Sequence, residues 1–546
     1  MALSHQNATV TSLLRNAEVY NACSNAGSPC NLRVLAPGQA IYPGFHDAHG
    51  HVLELGWSLS VANLVGCESK DCIMKRLETY VETLSVSSEA GVASGWIEGL
   101  GWDQTRWSPA IFPTASDFSN SPVLKYLKVV LRRVDVHALW VSPAVLDQLH
   151  AQGKLPAAEE HGGKVDGGLI VRDENGHPTG IFVDKAMEIV YSAMPAWTDT
   201  HRAQYLSLAT ERLLSVGITN AGDAAVDPAS VAFFREKDAA RDLGLRFYAF
   251  YDCSRPPAKG GKHVCETIAP HIPSHGGRLT ARTIKLFADG ALGSWGSAMW
   301  EEYSDRPGEK GLLLMKEAEI KPTIQNWMQR GFQVGVHCIG DRANTLVLDA
   351  YESILSDMNG TDHRPRIEHA QLLRQSDISR FSKLGVIASQ QPVHCTSDMG
   401  YVESRLGKGS ERARGAYPWR SLLGHGARIA LGSDFPVELP DVLHGFYSAI
   451  TRAWPDGSSP AGANEGWHEN ETLSRGQALR GFTIDAAYAQ FEEQSAGTLT
   501  PGKRADFVIL DTDIMDPTIP TVQVRNAKTL ATIIDAATAW KRTPAH

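Results

Sequence analysis

The sequence predicts an α/β protein with a (β/α)₈ barrel of the TIM type, a small β domain built from both chain ends, and an insertion over the barrel mouth. Eight short β-rich runs recur along the chain, and most of them end in a polar residue. Helix-like stretches lie between several of these runs. The length of 546 residues also leaves room for a second, smaller domain, and 43% hydrophobic residues is typical of a globular protein.

The eight runs follow one another as a parallel barrel requires, with helical periodicity between several of them. One such helical segment is HRAQYLSLATERLLSVG before the second run, and another is RANTLVLDAYESILSDM after the fifth. Active sites of these barrels form where the strands end. The runs cover residues 40–51, 216–224, 245–253, 282–290, 332–341, 364–371, 385–394 and 427–436.

Two further segments do not fit the barrel pattern. The stretch at about 56–205 is too long for one crossover and contains the strand-like piece PVLKYLKVVLRRVDVH, so we predict an insertion that shapes the substrate pocket. After Thr483, GTLTPGKRADFVILDTD indicates a turn and an alternating strand that we expect to pair with N-terminal residues. The predicted domain limits are 1–43 and 486–546 for the small β domain and 44–485 for the barrel.

Composition disfavours several classes of partner. The net charge is −9, and no Lys/Arg run with interleaved aromatics is present, so we expect no nucleic-acid partner. The first thirty residues lack the pattern of a signal peptide, and no apolar stretch is long enough to span a membrane. We therefore expect a soluble cytoplasmic protein without a membrane partner, with a homodimer as the default assembly.

The eight cysteines form no CxxC pair, and we expect mostly reduced thiols: Cys23, Cys30, Cys67, Cys72, Cys253, Cys265, Cys338 and Cys395.

Four histidines are candidate metal ligands. His49 and His51 in PGFHDAHGH lie two residues apart on a predicted strand, so their side chains point to the same face and can hold one ion. His337 in VGVHC and His369 in RIEHAQ each end a β-rich run, where a barrel directs side chains toward a common centre. A lone histidine at such a place is more often a packing residue. Four in this arrangement favour a metal site.

Two charged residues complete the candidate site. Asp434 in LGSDFP supplies a carboxylate that can bind a metal and accept a proton from water, although Ser433 and Asp434 also precede a proline as helix caps often do. Lys285 in TIKLFADG cannot ligate a metal as an ammonium. If its amine is kept neutral, it can react with carbon dioxide to give a carbamate that bridges two ions. A salt bridge is the alternative for Lys285.

An ordered set of motifs spans almost the whole chain. It comprises PGFHDAHGH, GLGWDQTRW, GHPTGIFVDKAM, IKLFADGALGSWGSA, VGVHCIGDRA, RIEHAQLL, QPVH, YPWRSLL, GSDFPVE and GTLTPGKRADFVIL. In content and order the set resembles the amidohydrolase superfamily, and within it the YtcJ-like branch (amidohydrolase family 3) that includes N-substituted formamide deformylases. Each motif alone is modest support, whereas the ordered set is highly specific.

The resemblance implies a flanking β-sandwich and a centre that binds zinc or a similar divalent ion. Relatives place several sandwich strands before the PGF motif, whereas only LLRNAEVYNA and RVLAPGQAIY precede it here, so the N-terminal part is expected to be abbreviated. The implied metal ligands are His49, His51, Lys285 as a carboxylated lysine, His337, His369 and Asp434. The residues implied near the substrate pocket are Trp102, Asp103, His137 and His394, with plain packing an equal alternative for Trp102.

The expected function is metal-dependent hydrolysis of a carbon–nitrogen bond other than a peptide bond, such as an amide or a formamide, in a small-molecule substrate. Asp434 is the expected catalytic residue, which accepts a proton from water and returns it to the leaving amine. One alternative is a hydrolase with a single ion and an unmodified Lys285 that acts on esters, lactones or cyclic amides. Another is a non-catalytic regulatory relative, which the complete ligand set disfavours.

Overall fold

The computed structural model describes residues 2–3, 10–12, 35–36, 38–86, 95–157, 164–165, 168–253, 264–272, 276–358 and 362–543. The chain divides into two compact units. The first comprises Met1–Val52, Leu206–Gly311 and Met315–His546, and the second comprises Leu53–Tyr205 and Leu312–Leu314. The domain limits given above stay a prediction.

The first unit is built on eight parallel strands, and each predicted run contributes one of them in chain order. Every strand pairs with the next one along the chain. The eighth strand lies against the first, so the barrel is nearly closed. This confirms the predicted (β/α)₈ barrel. Its strands are Phe45–Gly50, Ile218–Val226, Arg246–Asp252, Leu279–Phe287, Gln333–Cys338, Arg366–His369, Ile387–Gln390 and Arg428–Leu431.

The barrel strands are almost continuously buried, as parallel strands covered on both faces must be. The third strand, RFYAFYD, is buried from Arg246 to Tyr251. Inside the barrel, the Tyr248 hydroxyl donates to Oε1 of Gln333 at 3.0 Å, so the polar groups of the interior bond to one another. A packed interior of this kind gives the strand ends a rigid support.

Helices connect the barrel strands, several with side-chain caps. Asp227, for example, accepts from the backbone N–H groups of Ala229 and Ser230. No helix in the described ranges is both long and apolar enough to cross a membrane. The helices that contribute to this unit are Asp199–Ser215, Pro228–Ala239, Glu317–Gln329, Asp341–Asp357, Gln375–Leu384, Pro392–Leu406, Glu411–Arg414, Trp419–Gly424, Val442–Thr451, Arg475–Gly481, Ile484–Ala489 and Thr521–Asn526.

A separate antiparallel sheet joins the two ends of the chain, as predicted. Its strands, in order across the sheet, are Ala40–Pro43, Phe507–Leu510, Thr529–Ile534 and Ala537–Lys541. The first predicted run therefore divides into a strand of this sheet and a barrel strand, with Gly44 between them. A Cβ at Gly44 would lie 2.3 Å from the Thr219 hydroxyl oxygen, so only glycine fits there. The predicted N-terminal strand piece at 13–22 lies outside the described residues, and Ala2–Leu3 pairs with Val10–Ser12.

The second unit contains a mixed seven-stranded sheet with an apolar cluster on each face. The predicted strand-like piece contains the strand Lys128–Arg133, which pairs with Ala138–Val141 directly after the piece. Val129 and Val130, adjacent on one strand, pack into different clusters. Across the sheet the strands are Ala62–Asn63, Trp96–Trp102, Lys128–Arg133, Ala138–Val141, Pro178–Asp184, Gly168–Arg172 and Lys164–Val165. The helices are Val52–Ser58, Lys70–Val86, Pro143–Ala151 and Met187–Tyr191.

The cysteine prediction was wrong for four residues. Cys67 is disulfide-bonded to Cys72, and Cys253 to Cys265, with Cα–Cα distances of 5.5 and 5.9 Å that suit a disulfide. The spacing of neither pair in the sequence indicates a disulfide. Only the fold shows that these thiols lie together. The remaining described cysteines, Cys338 and Cys395, are buried free thiols, and Cys23 and Cys30 lie outside the described residues.

Candidate metal centre

The C-terminal end of the barrel gathers all six predicted ligands. They come from five of the eight strands or from the residues that directly follow those strands. Chain segments far apart in sequence converge here because parallel barrel strands all end at the same rim. The residues are His49, His51, Lys285, His337, His369 and Asp434.

Short distances link these side chains into one cluster. Nε2 of His51 lies 2.9 Å from Oδ1 of Asp434, and Nε2 of His49 lies 3.5 Å from the same oxygen. Nζ of Lys285 lies 3.3 Å from Nε2 of His49. The rings of His337 and His369 have centroids 4.5 Å apart. One ligand atom each from His49, His369 and Asp434 lie within 4.8 Å of one another. An ion at about 2 Å from each atom needs them within about 4 Å, a limit that Nε2 of His49 and Oδ1 of Asp434 already meet at 3.5 Å.

Three of the histidines are held in a fixed orientation. In each ring Nδ1 faces a side-chain oxygen, so a proton placed on Nδ1 leaves Nε2 with its lone pair. Such a partner fixes the ring and the tautomer before any ion arrives. The pairs are His49 with Glu368 at 2.6 Å, His337 with Asp289 at 3.2 Å, and His369 with Gln391 at 2.9 Å.

Sequence reasoning missed these oxygen partners. Strand alternation places Glu368 and His369 on opposite faces, but His369 has φ of 71°, so the strand geometry ends there and both side chains serve the same site. Asp289 likewise follows the end of its strand, where alternation gives no direction. The available signal is a carboxylate in the same short motif as a candidate ligand, as in RIEH and IKLFADG.

Glu368 is ionised although it is completely buried. Arg366, two residues earlier on the same strand, donates from Nε to Oε1 of Glu368 at 2.7 Å. Burial raises the pKa of Glu368, but the charge of Arg366 and the hydrogen bond to His49 outweigh it and hold the pKa well below its usual value. Glu368 therefore presents a carboxylate to His49.

The electrostatics of the cluster suit metal ligation. Burial and the charge of Lys285 lower the pKa of His49 to about 4, and burial and His337 hold the pKa of His369 well below its usual value. Both rings are therefore neutral near pH 7, as ligands must be. Burial raises the pKa of Asp434, but the surrounding histidines outweigh it and keep this carboxylate ionised. Burial also lowers the pKa of the Lys285 amine.

Asp434 lies in a strained turn rather than at a helix start. Its φ is 60°, and its backbone N–H donates to the carbonyl oxygen of His49 at 2.7 Å. The next helix begins only at Val442 and is capped by Asp441, so the alternative interpretation of Asp434 as a helix cap is wrong. The left-handed backbone directs this carboxylate toward the histidines.

His394 also lies at the cluster. It belongs to the helix Pro392–Leu406 that follows the seventh strand, and its ring stacks on His369 with centroids 5.8 Å apart. Its Nε2 lies 3.7 Å from Oδ2 of Asp434. This nitrogen is buried and has no hydrogen-bond partner in the described part of the chain, so it can bond to a group that is not part of the protein.

The other three predicted substrate residues lie in the second unit. Trp102 is fully buried, donates from Nε1 to the carbonyl of Leu131 at 2.9 Å and packs against Trp140. This side chain is committed to the core of its unit, as its packing alternative predicts. A substrate role for Trp102 stays a prediction.

Asp103 and His137 have polar partners within the second unit. Oδ1 of Asp103 accepts from Arg133 at 2.7 Å and from the backbone of Thr105 at 3.1 Å. Nδ1 of His137 lies 2.7 Å from Oδ1 of Asp184, and the His137 side chain is 22% exposed. Their roles toward substrate stay predictions.

The donor set fits a divalent cation. Imidazole nitrogen and carboxylate oxygen are the donors that zinc and similar ions take in proteins, and the ionised Asp434 supplies negative charge. The orphaned Nε2 of His394 shows that the polar groups at this end of the barrel do not all satisfy one another. The barrel end therefore has the composition of a metal-binding site.

A family model described as "Amidohydrolase family" matches residues 36–537, which is nearly the whole chain. The chain belongs to the amidohydrolase family. This amidohydrolase is 31% identical to "Protein LONG AFTER FAR-RED 3" of Arabidopsis thaliana over 89% of this chain and 80% of that protein. It is 26% identical to an N-substituted formamide deformylase of Arthrobacter pascens over 93% of this chain and 89% of that protein.

A solved structure extends the likeness to three dimensions. An uncharacterized metal-dependent hydrolase from Pyrococcus furiosus matches this amidohydrolase with a TM-score of 0.69 and 25% identity, over 94% of this chain and 95% of the other. Together with the family and the His/Asp group, this supports a metal-dependent hydrolase that uses a divalent metal.

Proposed function

We propose that this amidohydrolase cleaves a carbon–nitrogen bond other than a peptide bond, in a small-molecule amide or formamide. The observation that carries the proposal is the convergence at one barrel end of six residues with ligand chemistry, with Nδ1 of three histidines held by oxygen atoms. The similarity to an N-substituted formamide deformylase supports the substrate class.

The proposed ligands of zinc or a similar ion are the six predicted residues. A bound divalent metal supplies Lewis acidity, which acidifies water and polarises a carbonyl group. Lys285 joins the site if its neutral amine adds to carbon dioxide, forming an N–C bond and releasing one proton. The product is an anionic carbamate with two oxygen atoms, suited to a centre with two ions. The lowered pKa of Lys285 favours the neutral amine that this addition needs.

Asp434 is the proposed proton carrier. Its carboxylate lies 2.9 Å from Nε2 of His51 and 3.7 Å from Nε2 of His394, so it faces both sides of the space among the histidines. It takes a proton from the attacking water and returns it to the nitrogen of the leaving amine. His394, with its unpartnered Nε2, is placed to donate a hydrogen bond to the substrate carbonyl.

A metal analysis followed by a hydrolysis screen tests the proposal. The screen contains N-substituted formamides, N-acyl amines, esters and lactones, each with and without a chelator. We expect metal-containing protein and chelator-sensitive release of an amine. Hydrolysis limited to esters or lactones would instead favour the alternative substrate class. Metal-free protein with chelator-insensitive activity would overturn the metal-dependent mechanism.

A further inference from the structure

Asp47 is a buried carboxylate that the proposed reaction does not use. It lies on the first barrel strand, two residues before His49, and is 0% exposed. No lysine or arginine in the described ranges forms an ion pair with it. A buried carboxylate without a cation is costly, so its hydrogen bonds must account for its presence.

The carboxylate of Asp47 accepts hydrogen bonds both from the loop after the eighth strand and from its own strand. The Ser433 backbone N–H lies 3.1 Å from both carboxylate oxygens, and the Ser433 hydroxyl donates to Oδ2 at 2.7 Å. The backbone N–H of His49 donates to Oδ1 at 3.1 Å. The carboxylate therefore bonds at once to the residue before Asp434 and to the candidate ligand His49.

The geometry of the loop depends on this contact. A Cβ at Gly432 would lie 2.6 Å from Oδ1 of Asp47 and 2.6 Å from the backbone nitrogen of His49, so the loop rests directly on the first strand. Two residues later in the chain, Asp434 has a left-handed backbone conformation and donates its N–H to the His49 carbonyl at 2.7 Å. Asp47 thus contacts both chain segments that set the direction of the Asp434 carboxylate.

We propose that Asp47 is a positioning residue, which clamps the loop after the eighth strand onto the first strand and so fixes Asp434 relative to the ion held with His49. The proposal rests on the proposed metal-binding role of Asp434. Asparagine cannot replace it fully, because one of its side-chain atoms is an N–H₂ donor that would face the N–H and hydroxyl donors of Ser433.

Cobalt-loaded D47N protein tests this role. We expect the cobalt content of wild type, a changed visible absorption spectrum of the bound cobalt, a kcat lower by about 10–100-fold and a KM within about twofold. D506N is the matched control, since Asp506 is also a buried aspartate but lies at the other end of the barrel. It should keep the wild-type cobalt spectrum and kcat.

Two further outcomes keep the test decisive. S433A removes only the hydroxyl bond and should shift spectrum and kcat in the same direction by less, which covers the case in which D47N fails to fold. Wild-type spectrum and kcat in folded D47N would overturn the positioning role. If wild type binds cobalt but hydrolyses nothing in the screen, the proposed function fails, while the spectra still decide the role of Asp47.

The cysteines carry a second, independent inference about the compartment. Among the described residues, the second unit holds the disulfide Cys67–Cys72 and the first holds Cys253–Cys265. The other described cysteines, Cys338 and Cys395, are fully buried. Every described cysteine is therefore either oxidised or shielded from oxidants. Thiols are kept reduced in the cytosol, whereas disulfides persist in oxidising compartments. We infer that this amidohydrolase works in an oxidising compartment, in place of the predicted cytoplasm.

Differential alkylation tests the inference in the cells that make the protein. The cells are lysed in denaturant with N-ethylmaleimide, the protein is reduced, and a second alkylating reagent marks the released thiols before mass spectrometry. Cys67, Cys72, Cys253 and Cys265 should carry the second label, and Cys338 and Cys395 the first. The first label on both disulfide pairs would overturn the inference.

Discussion

The two ends of the barrel use buried charge in opposite ways. At the C-terminal end, His49, His369 and Asp434 point their donor atoms at one another across a shared space, and Nε2 of His394 has no partner within the described residues. At the N-terminal end, arginines and aspartates are paired directly. The charges of the N-terminal cluster therefore neutralise one another, whereas the arrangement of the C-terminal cluster suits a bound cation.

The paired cluster centres on Arg246, the first residue of the third strand. Its Nε donates to Oδ2 of Asp506 at 2.7 Å, and its Nη2 donates to Asp535. Arg278 donates to the other oxygen of Asp535 at 2.9 Å, and the Asp535 backbone N–H donates to Asp506 at 2.8 Å. With charges matched in this way, the cluster stabilises the junction between the barrel and the small antiparallel sheet.

Removing the proposed proton carrier should have the largest effect, confined to the C-terminal end. We expect Asp434→Asn to lower kcat by about 10²–10⁴-fold, because the amide cannot accept a proton from water. The urea midpoint should stay close to wild type, because the amide has the same shape. Steady-state kinetics on protein with measured metal content checks this. Near wild-type turnover in the metal-replete variant would contradict the role of Asp434.

Breaking the paired cluster should reverse the pattern. We expect Arg246→Met to lower the free energy of unfolding by about 3–5 kcal/mol, because it leaves the buried Asp506 without the arginine that pairs with it. At temperatures where the variant is folded, kcat should match wild type. Urea unfolding and kinetics on the same preparation check both statements. A large loss of kcat without a loss of stability would show that the two ends are not separate in function.

A change at Glu368, which contacts the proposed ligand His49, should have an intermediate effect. Glu368→Gln keeps the shape of the carboxylate but removes the charge that orients His49, so we expect metal affinity to fall by about 10–100-fold. Chelator competition measures it. The matched control is Glu493→Gln. The Glu493 carboxylate pairs with Arg364 at 2.9 Å and does not contact the proposed ligands. An equal loss of metal affinity in both variants would contradict the role of Glu368 in orienting His49.

The smallest effect is a pH dependence at the N-terminal end. Burial raises the pKa of Asp506, but Arg246 outweighs it, so the pKa in the folded protein is below its usual value. The stabilisation by the pair is thus present above the unfolded-state pKa of about 3.9 and is lost as the pH falls through the lower folded-state pKa. The stability difference between wild type and Arg246→Met, measured by urea unfolding, should shrink as the pH falls below about 4. A constant difference would argue against this pairing.

Much of the barrel could be predicted because its signals are local. A strand such as RFYAFYD, buried on both faces, leaves a dense apolar run in the sequence. A histidine at the end of such a run, as at His337 and His369, indicates the end of the barrel that carries the candidate metal centre. The antiparallel tail was predictable from its alternating pattern. Each of these features depends on residues that are neighbours in the chain.

The remaining features depend on contacts between distant residues. Two strands of the second unit, Ala62–Asn63 and Lys164–Val165, are too short to leave a periodic signal. The partnership of His49 with Glu368 spans 319 positions and needs the backbone of His369 to leave strand geometry. The disulfides were missed for the same reason, because the fold, and not the spacing, brings their thiols together.

The most direct test of the central claim is an anomalous-scattering map of crystals grown with zinc, recorded at the zinc absorption edge. The predicted result is a peak at the C-terminal barrel end, within coordination distance of Nε2 of His49 and His369 and of the carboxylate of Asp434. A map with full zinc occupancy elsewhere and no peak among these residues would contradict the assignment of this end of the barrel as a metal centre.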